Sequence, residues 1–282
     1  MGKNNYSDEV LNKCYKEYKD GKSITKICEE RKLNRHTLSK KLKEKYQDIN
    51  PSEKRNYLTL EQCSKHRKYK VDSDYFNNID SENKAYWLGF LYADGYISKN
   101  KHILELGLKE SDKNHIEKFA KDLKTDYPIS LRKVKIKERE YKSYRICICS
   151  TNMNKTLEKL GCYNNKSKTI NYPNFIIGHK FEKDFIRGYF DGDGSLSVDK
   201  HKYIKIGFYS GCYEFLEQLQ IRIKELCGVE LYIRKDKTCY ALCISKRKEV
   251  EKFLNFIYEN SNIYLDRKFE RYIKFCVLPS QP

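Results

Sequence analysis

Two stretches of this 282-residue chain end in Asp-Gly directly after an apolar, helix-patterned run: YWLGFLYADGYIS at 86–98 and FIRGYFDGDGSLS at 185–197. The apolar spacing predicts helices over 84–94 and 184–193, which puts Asp94 and Asp193 in last turns. Gly95 and Gly194 read as C-terminal stops, but an aspartate in a last turn faces the negative end of the helix dipole, an unfavourable placement. Gly89 with Ala93, and Gly188 with Gly192, stand four apart and give each helix a flat stripe for backbone-to-backbone packing. If the helices pair in parallel, their two carboxylates meet, and that is tolerable with a cation between or beside them. Hard oxygen ligands that leave water in the shell suit Mg²⁺, with Mn²⁺ as a substitute, better than zinc. A divalent ion near a phosphodiester can activate water and stabilise the leaving oxygen. One Asp-Gly after a helix is an ordinary turn; the second copy is what points to a site.

The surrounding elements repeat too. ILELGL (103–108) and YIKIGF (203–208) alternate as strands around a glycine, and helical patterns follow at 112–124 and 213–226. Strand-rich stretches ending in YRICICS (144–150) and CYALCIS (239–245) come next, then helical patterns at 152–160 and 247–259. Each unit is therefore predicted as αββαββα, an α+β class, over 81–176 and 177–282. In LRKVKIKER (131–139), Lys133, Lys135 and Lys137 alternate with Val134 and Ile136; in KYIKIGF, Tyr203 and Lys205 alternate with Ile204 and Ile206. The lysine face is expected to be wet and basic and the other to pack. Such a face fits a major-groove reader, and any exposed lysine-bearing strand looks the same.

Residues 1–46 differ, with three short helical patterns and Ser23 and Asn34 placed as N-caps. Val10, Leu11, Cys14, Tyr15, Tyr18, Ile24, Ile27, Cys28, Leu33, Leu38 and Leu42 fill a small core at helix-turn-helix spacing. Arg35, His36, Ser39, Lys40 and Lys43 then lie on or beside the outer face of the third helix, where a recognition helix presents side chains to DNA; a protein-binding three-helix module is the alternative. Residues 47–80, with Pro51 and KHRKYK (65–70), read as a basic linker.

Lys+Arg 57 against Asp+Glu 39 gives a net charge of +18, which suits a polyanionic partner such as nucleic acid. The 39% hydrophobic content, with 24 Tyr and 13 Phe, disfavours disorder. With no apolar run long enough for a membrane span or a signal peptide, a soluble, intracellular, non-secreted protein is expected. The 11 scattered cysteines fit a reducing compartment and make neither a disulfide framework nor a zinc site.

WLGFLYADG (87–95) and IRGYFDGDG (186–194) resemble the paired signatures of the LAGLIDADG homing endonucleases in their single-chain, two-repeat form, over about residues 70–275. That resemblance implies a monomer with pseudo-two-fold symmetry. Its signature helices would form the inter-repeat interface, and its antiparallel sheets would make a saddle on double-stranded DNA. The last acidic residue of each signature binds metal in that family, which carries over to Asp94 and Asp193. The earlier acidic position is Asp191 in the second copy and Tyr92 in the first, a departure outside the metal-binding position. The family's basic residue near the scissile phosphate corresponds to Lys268 in YLDRKFE (264–270) and to Lys166 in NKSKTINYP (165–173), with Lys168 as the adjacent alternative. Either lysine could instead be a plain phosphate contact or a solvated side chain. The expected activity is metal-dependent, site-specific cleavage of both DNA strands. The alternatives are a DNA-binding regulator without chemistry, since regulators join this fold to a helix-turn-helix, or a maturase acting on intron RNA. An intein is disfavoured because FCVLPSQP lacks a His-Asn ending.

Overall fold

The computed structural model describes residues 6–20, 22–46, 68–98, 102–136, 139–198 and 204–277. Its contacts divide the chain into two units, 1–66 and 67–282.

In the first unit, α1 (Asp8–Lys19), α2 (Ile24–Arg31) and α3 (Arg35–Lys45) close on one small core. Leu11, Cys14, Tyr18, Ile24, Ile27, Cys28, Leu38 and Leu42 are buried there, with Val10, Tyr15 and Leu33 packed at its edge. Ser7, Ser23 and Asn34 cap the three helices by accepting from the backbone N–H groups of Val10, Lys26 and Thr37.

The second unit begins with α4 (Glu82–Asp94), which runs straight into β1 (Gly95–Ser98); β2 (Ile103–Lys109), α5 (Lys113–Asp122), β3 (Ile129–Ile136), β4 (Arg139–Cys149) and α6 (Thr151–Lys159) follow. The order then recurs as α7 (Glu182–Asp193), β5 (Gly194–Val198), β6 (Ile204–Ser210), α8 (Tyr213–Cys227), β7 (Tyr232–Asp236), β8 (Cys239–Ile244) and α9 (Arg247–Tyr258). A further helix, α10 (Asp266–Tyr272), has no counterpart helix among the described residues of the first repeat, where a one-turn 3₁₀ segment, Lys166–Lys168, stands instead. Both sheets are antiparallel and four-stranded, with the orders β1-β2-β4-β3 and β5-β6-β8-β7. One continuous core joins the two repeats.

Every residue from Ala85 to Tyr92 in α4 is buried, as expected of a helix apolar on all sides and covered on all sides. Gly95 and Gly194 do not end their helices in the left-handed conformation of a usual stop; their φ values are −72° and −73°, in extended backbone. They are glycine for want of space, because the chain turns directly from helix to strand. A Cβ would lie 2.6 Å from the Leu91 carbonyl oxygen at Gly95 and 2.3 Å from that of Phe190 at Gly194.

One face assignment is corrected by the strand register. Ile129 pairs with the buried Ile146, and residues opposite one another share a face, so Lys133 and Lys135, opposite Lys142 and Glu140, lie on the core side of the first sheet rather than on its outward face. They are exposed because β3 outruns the helices that cover that side; alternation separates two faces but does not say which one the helices cover. The outward face at this strand carries Arg132, opposite Ser143. Lys137, Tyr203 and the 47–67 part of the linker lie outside the described residues.

Candidate active site

The two signature helices pack backbone on backbone. A Cβ on Gly89 would stand 2.0 Å from the carbonyl oxygen of Phe185, and one on Gly188 would stand 1.9 Å from that of Tyr86. Any larger residue at either position would force the helices apart. Farther along, a Cβ on Gly192 would lie 2.3 Å from the Ala93 Cβ and 3.4 Å from the Asp94 Oδ2, which brings Asp94 beside the end of α7 and next to Asp193.

Both aspartates are open to solvent at the residue level, yet each is ringed by protein that removes much of the water around its carboxyl group. That desolvation raises the pKa of Asp94, opposed by the charges of Lys268, Lys166 and Arg267. Desolvation, with the charge of Asp94 added, pushes Asp193 up to about 6. Two carboxylates that resist ionising together, aimed into solvent, are what a hard divalent cation would relieve. Among the described residues no three His, Cys, Asp or Glu side chains group as a closed metal cage. A two-carboxylate site leaves coordination positions for water and phosphate oxygens, which fits Mg²⁺ rather than structural zinc.

Two of the three candidate lysines reach this region at corresponding points. Lys166, buried in its 3₁₀ turn, donates from Nζ to the carbonyl oxygen of Gly95, immediately after Asp94. Lys268, on α10 and 2% exposed, donates to the carbonyl oxygens of Phe190, Asp191 and Gly194, the last immediately after Asp193. Each lysine thus lies at the C-terminal end of a signature helix, where a cation offsets the dipole that an aspartate aggravates. Burial lowers the Lys268 ammonium to about 8, so it remains largely charged at neutral pH. Lys168 is exposed and makes no such contact among the described residues.

Asp191 is fully buried rather than part of the solvent-facing pair. Its carboxylate accepts from Tyr86 Oη at 2.8 Å, Tyr258 Oη at 2.6 Å and the Leu265 backbone N–H at 2.8 Å. Tyr86 also meets His115 Nε2 at 3.0 Å, and with the phenol donating to Asp191 the imidazole must be the donor there. Beside this network, Arg187, fully buried, donates to Glu82 at 2.7 Å, to Asp184 at 2.8 Å and to the carbonyls of Ile257 and Ile263 at 2.9 Å. The sequence reading missed both networks. The signal was present: α7 carries Glu182, Asp184, Arg187 and Asp191 among positions that an apolar signature buries.

Of the remaining candidates, Lys205 is exposed on the outward face of the second sheet, opposite Ser197. A groove of about 300 Å³ on that face is lined by Ser195, Ser197, Lys205, Tyr209, Tyr232 and Arg234 among others. Arg35, His36, Lys40 and Lys43 are exposed on α3, with Ser39 half-buried.

Residues 180–258 match a family model described as a LAGLIDADG-like domain, and residues 83–164 match one described as a WhiA LAGLIDADG-like domain. The chain is 27% identical over 159 residues to an uncharacterised protein of Methanocaldococcus jannaschii, covering 52% of this chain and 58% of that protein. It is 24% identical over 204 residues to the replication factor C small subunit of the same organism, covering 71% of this chain and 10% of that protein. The chain therefore spans less than two thirds of either relative. The fold is that of the homing endonuclease I-WcaI, solved bound to its DNA recognition sequence: TM-score 0.54 at 20% identity, over 70% of this chain and 89% of that one.

Proposed function

The chain belongs to the LAGLIDADG proteins, with a LAGLIDADG-like domain in each repeat, and on that premise we propose that it is a Mg²⁺-dependent, site-specific endonuclease that hydrolyses both strands of double-stranded DNA as a monomer. The observation that carries this reading is the paired arrangement at the helix ends: Asp94 with Lys166 on the following carbonyl, Asp193 with Lys268 on the following carbonyl. Asp94 and Asp193 would hold the cation, whose charge would favour an activated water and stabilise the leaving oxygen. Lys268 directs all three N–H donors at backbone, so its part is a fixed positive charge that holds the end of α7 beside the reacting phosphate. Lys166 has one backbone acceptor among the described residues and retains donors for a phosphate oxygen or the attacking water. Lys205 and its neighbours on the outward sheet face would contact bases and phosphates.

Supercoiled plasmid carrying a randomised duplex insert, incubated with and without Mg²⁺ and sequenced at the cut ends, tests the activity. Double-strand cuts at one recurrent site are expected with Mg²⁺ or Mn²⁺ only. Asp94→Asn and Asp193→Asn should each reduce cutting by about 10³-fold or more while DNA affinity stays within a few-fold. Full-rate cutting by either variant would remove that aspartate from the site.

A second reading, a DNA-binding regulator without chemistry, is favoured by the match of residues 83–164 to the WhiA-type model. Metal-independent binding with no cleavage in the same assay would select it.

The helices of residues 8–45 would add a helix-turn-helix contact through Arg35, His36, Ser39, Lys40 and Lys43. Deleting residues 1–46 should weaken binding, shorten the footprint and flatten its salt dependence while central-site cleavage persists. An unchanged footprint and slope would make that unit a protein-binding module.

A further inference from the structure

The start of α10 is tied across to the first repeat by two acid–base contacts. Asp266 takes the Lys118 ammonium at 2.5 Å and a hydrogen bond from Asn114, while Arg267 donates through Nε to Asp112 Oδ2 at 2.9 Å. These contacts are chemically unequal. Asp266 accepts and so presents no cation, and by itself it fastens α10 to α5. Asp112 is a buried acceptor, 5% exposed at the side chain, whereas Arg267 is 39% exposed. Nε is the only guanidinium nitrogen of Arg267 with a protein acceptor among the described residues. Its two Nη groups therefore carry four N–H donors, in a plane fixed by the Nε contact. The arginine also stands next in sequence to Lys268 and close enough to Asp94 for its charge to act on that carboxyl group. A planar, permanently charged fork held by a buried carboxylate at the rim of a two-carboxylate centre is arranged to receive a phosphate diester.

We propose that Arg267 is a phosphate-contacting catalytic residue of the Asp94 half of the site, that Asp112 is its positioning residue from the other repeat, and that this pair makes the two halves unequal. This inference rests on the endonuclease reading. The position before Lys166 that corresponds to Arg267 is Asn165, in left-handed backbone at φ 58°, so that position of the first repeat carries no cation. Because Arg267 comes from the second repeat and serves the aspartate of the first, its loss slows one strand and leaves the other.

The probe is the site recovered from the randomised library, labelled in turn on each strand and cut at saturating protein. Arg267→Ala is expected to slow one strand by about 10–10²-fold and the other by no more than about twofold, so that nicked duplex accumulates. Arg267→Lys should recover part of the rate, and Asp112→Asn should show the same strand bias with a smaller loss. Arg267→Ala should also reduce the slope of log K against log salt by about 0.9, the release of one phosphate contact. Equal slowing of both strands alongside a lowered Tm in all three variants would make the pair a structural strap and overturn the proposal, as would unchanged rates. If Arg267→Ala fails to fold, the strand bias of Arg267→Lys decides by the same criterion. If the wild-type protein binds duplex but never cuts it, the endonuclease reading fails, and the salt slope of Arg267→Ala on mixed-sequence duplex then decides whether Arg267 holds a phosphate.

Discussion

The half of the site around Lys268 and the half around Lys166 share a backbone plan and little else. At Lys268 the ammonium meets three carbonyl oxygens, the adjacent Asp191 carboxylate takes two tyrosine hydroxyls and the N–H of Leu265, and Leu265 is the residue from which α10 starts. At Lys166 the ammonium meets one carbonyl oxygen from a single 3₁₀ turn, and Tyr92, in the position matching Asp191, donates to the carbonyl oxygen of Leu160. Charged groups fasten one half and mostly apolar packing holds the other. An internal repeat can therefore keep a symmetric fold while its electrostatics diverge, because the fold depends on where apolar residues and glycines fall, and α4 and α7 agree there. The buried polar residues are free to differ so long as each finds its partners.

The widest separation between the halves is expected from the lysines. Lys268→Ala should cost about 3 kcal/mol of stability, a Tm lower by roughly 6–12 °C, because it leaves three buried carbonyls and a carboxylate without their cation. Lys166→Ala should move Tm by less than about 3 °C, yet slow cleavage at saturating DNA by about 10²-fold. Thermal melts beside single-turnover assays read both, and matching losses in the two variants would erase the distinction.

The residues at the matching signature position give a smaller contrast. Asp191→Asn puts an amide where two phenols and a backbone N–H all donate, at a cost of about 2–4 kcal/mol, whereas Tyr92→Phe removes one hydrogen bond worth about 1 kcal/mol. Urea titration of each variant measures the difference; equal midpoints would mean that the Asp191 network contributes no more than a single contact.

The smallest effect concerns the aspartates without metal. The folded-state pKa of Asp193, about 6, lies above its ordinary value of 3.8, so the folded form binds the proton more tightly and stability falls as pH rises through that window. Asp193→Asn lacks the penalty. In metal-free buffer its Tm should exceed that of the wild type by a few degrees at pH 7.5 and match it near pH 4. Mg²⁺ at pH 7.5 should close the gap by raising the wild type alone. A variant less stable than the wild type at pH 7.5 without metal would mean that the carboxylate is not strained there.

The sequence by itself determined the two signature helices, their glycine stripes, the αββαββα order and the placement of Asp94 and Asp193, because each follows from local periodicity and from a pattern that occurs twice. The resemblance to the LAGLIDADG family, not periodicity, narrowed the lysines to three. Only the tertiary structure decided that Lys166 rather than Lys168 reaches the helix end, since that depends on which way one 3₁₀ turn faces. Strand alternation divided β3 into two faces but could not show that Lys133 and Lys135 share theirs with the core, because the register to β4 and the reach of the covering helices are set by distant parts of the chain. For the same reason Asp191, Arg187 and the Arg267–Asp112 pair were invisible as networks: apart from Asp184, three residues before Arg187, their partners lie more than sixty residues away, and no local rule brings such residues together.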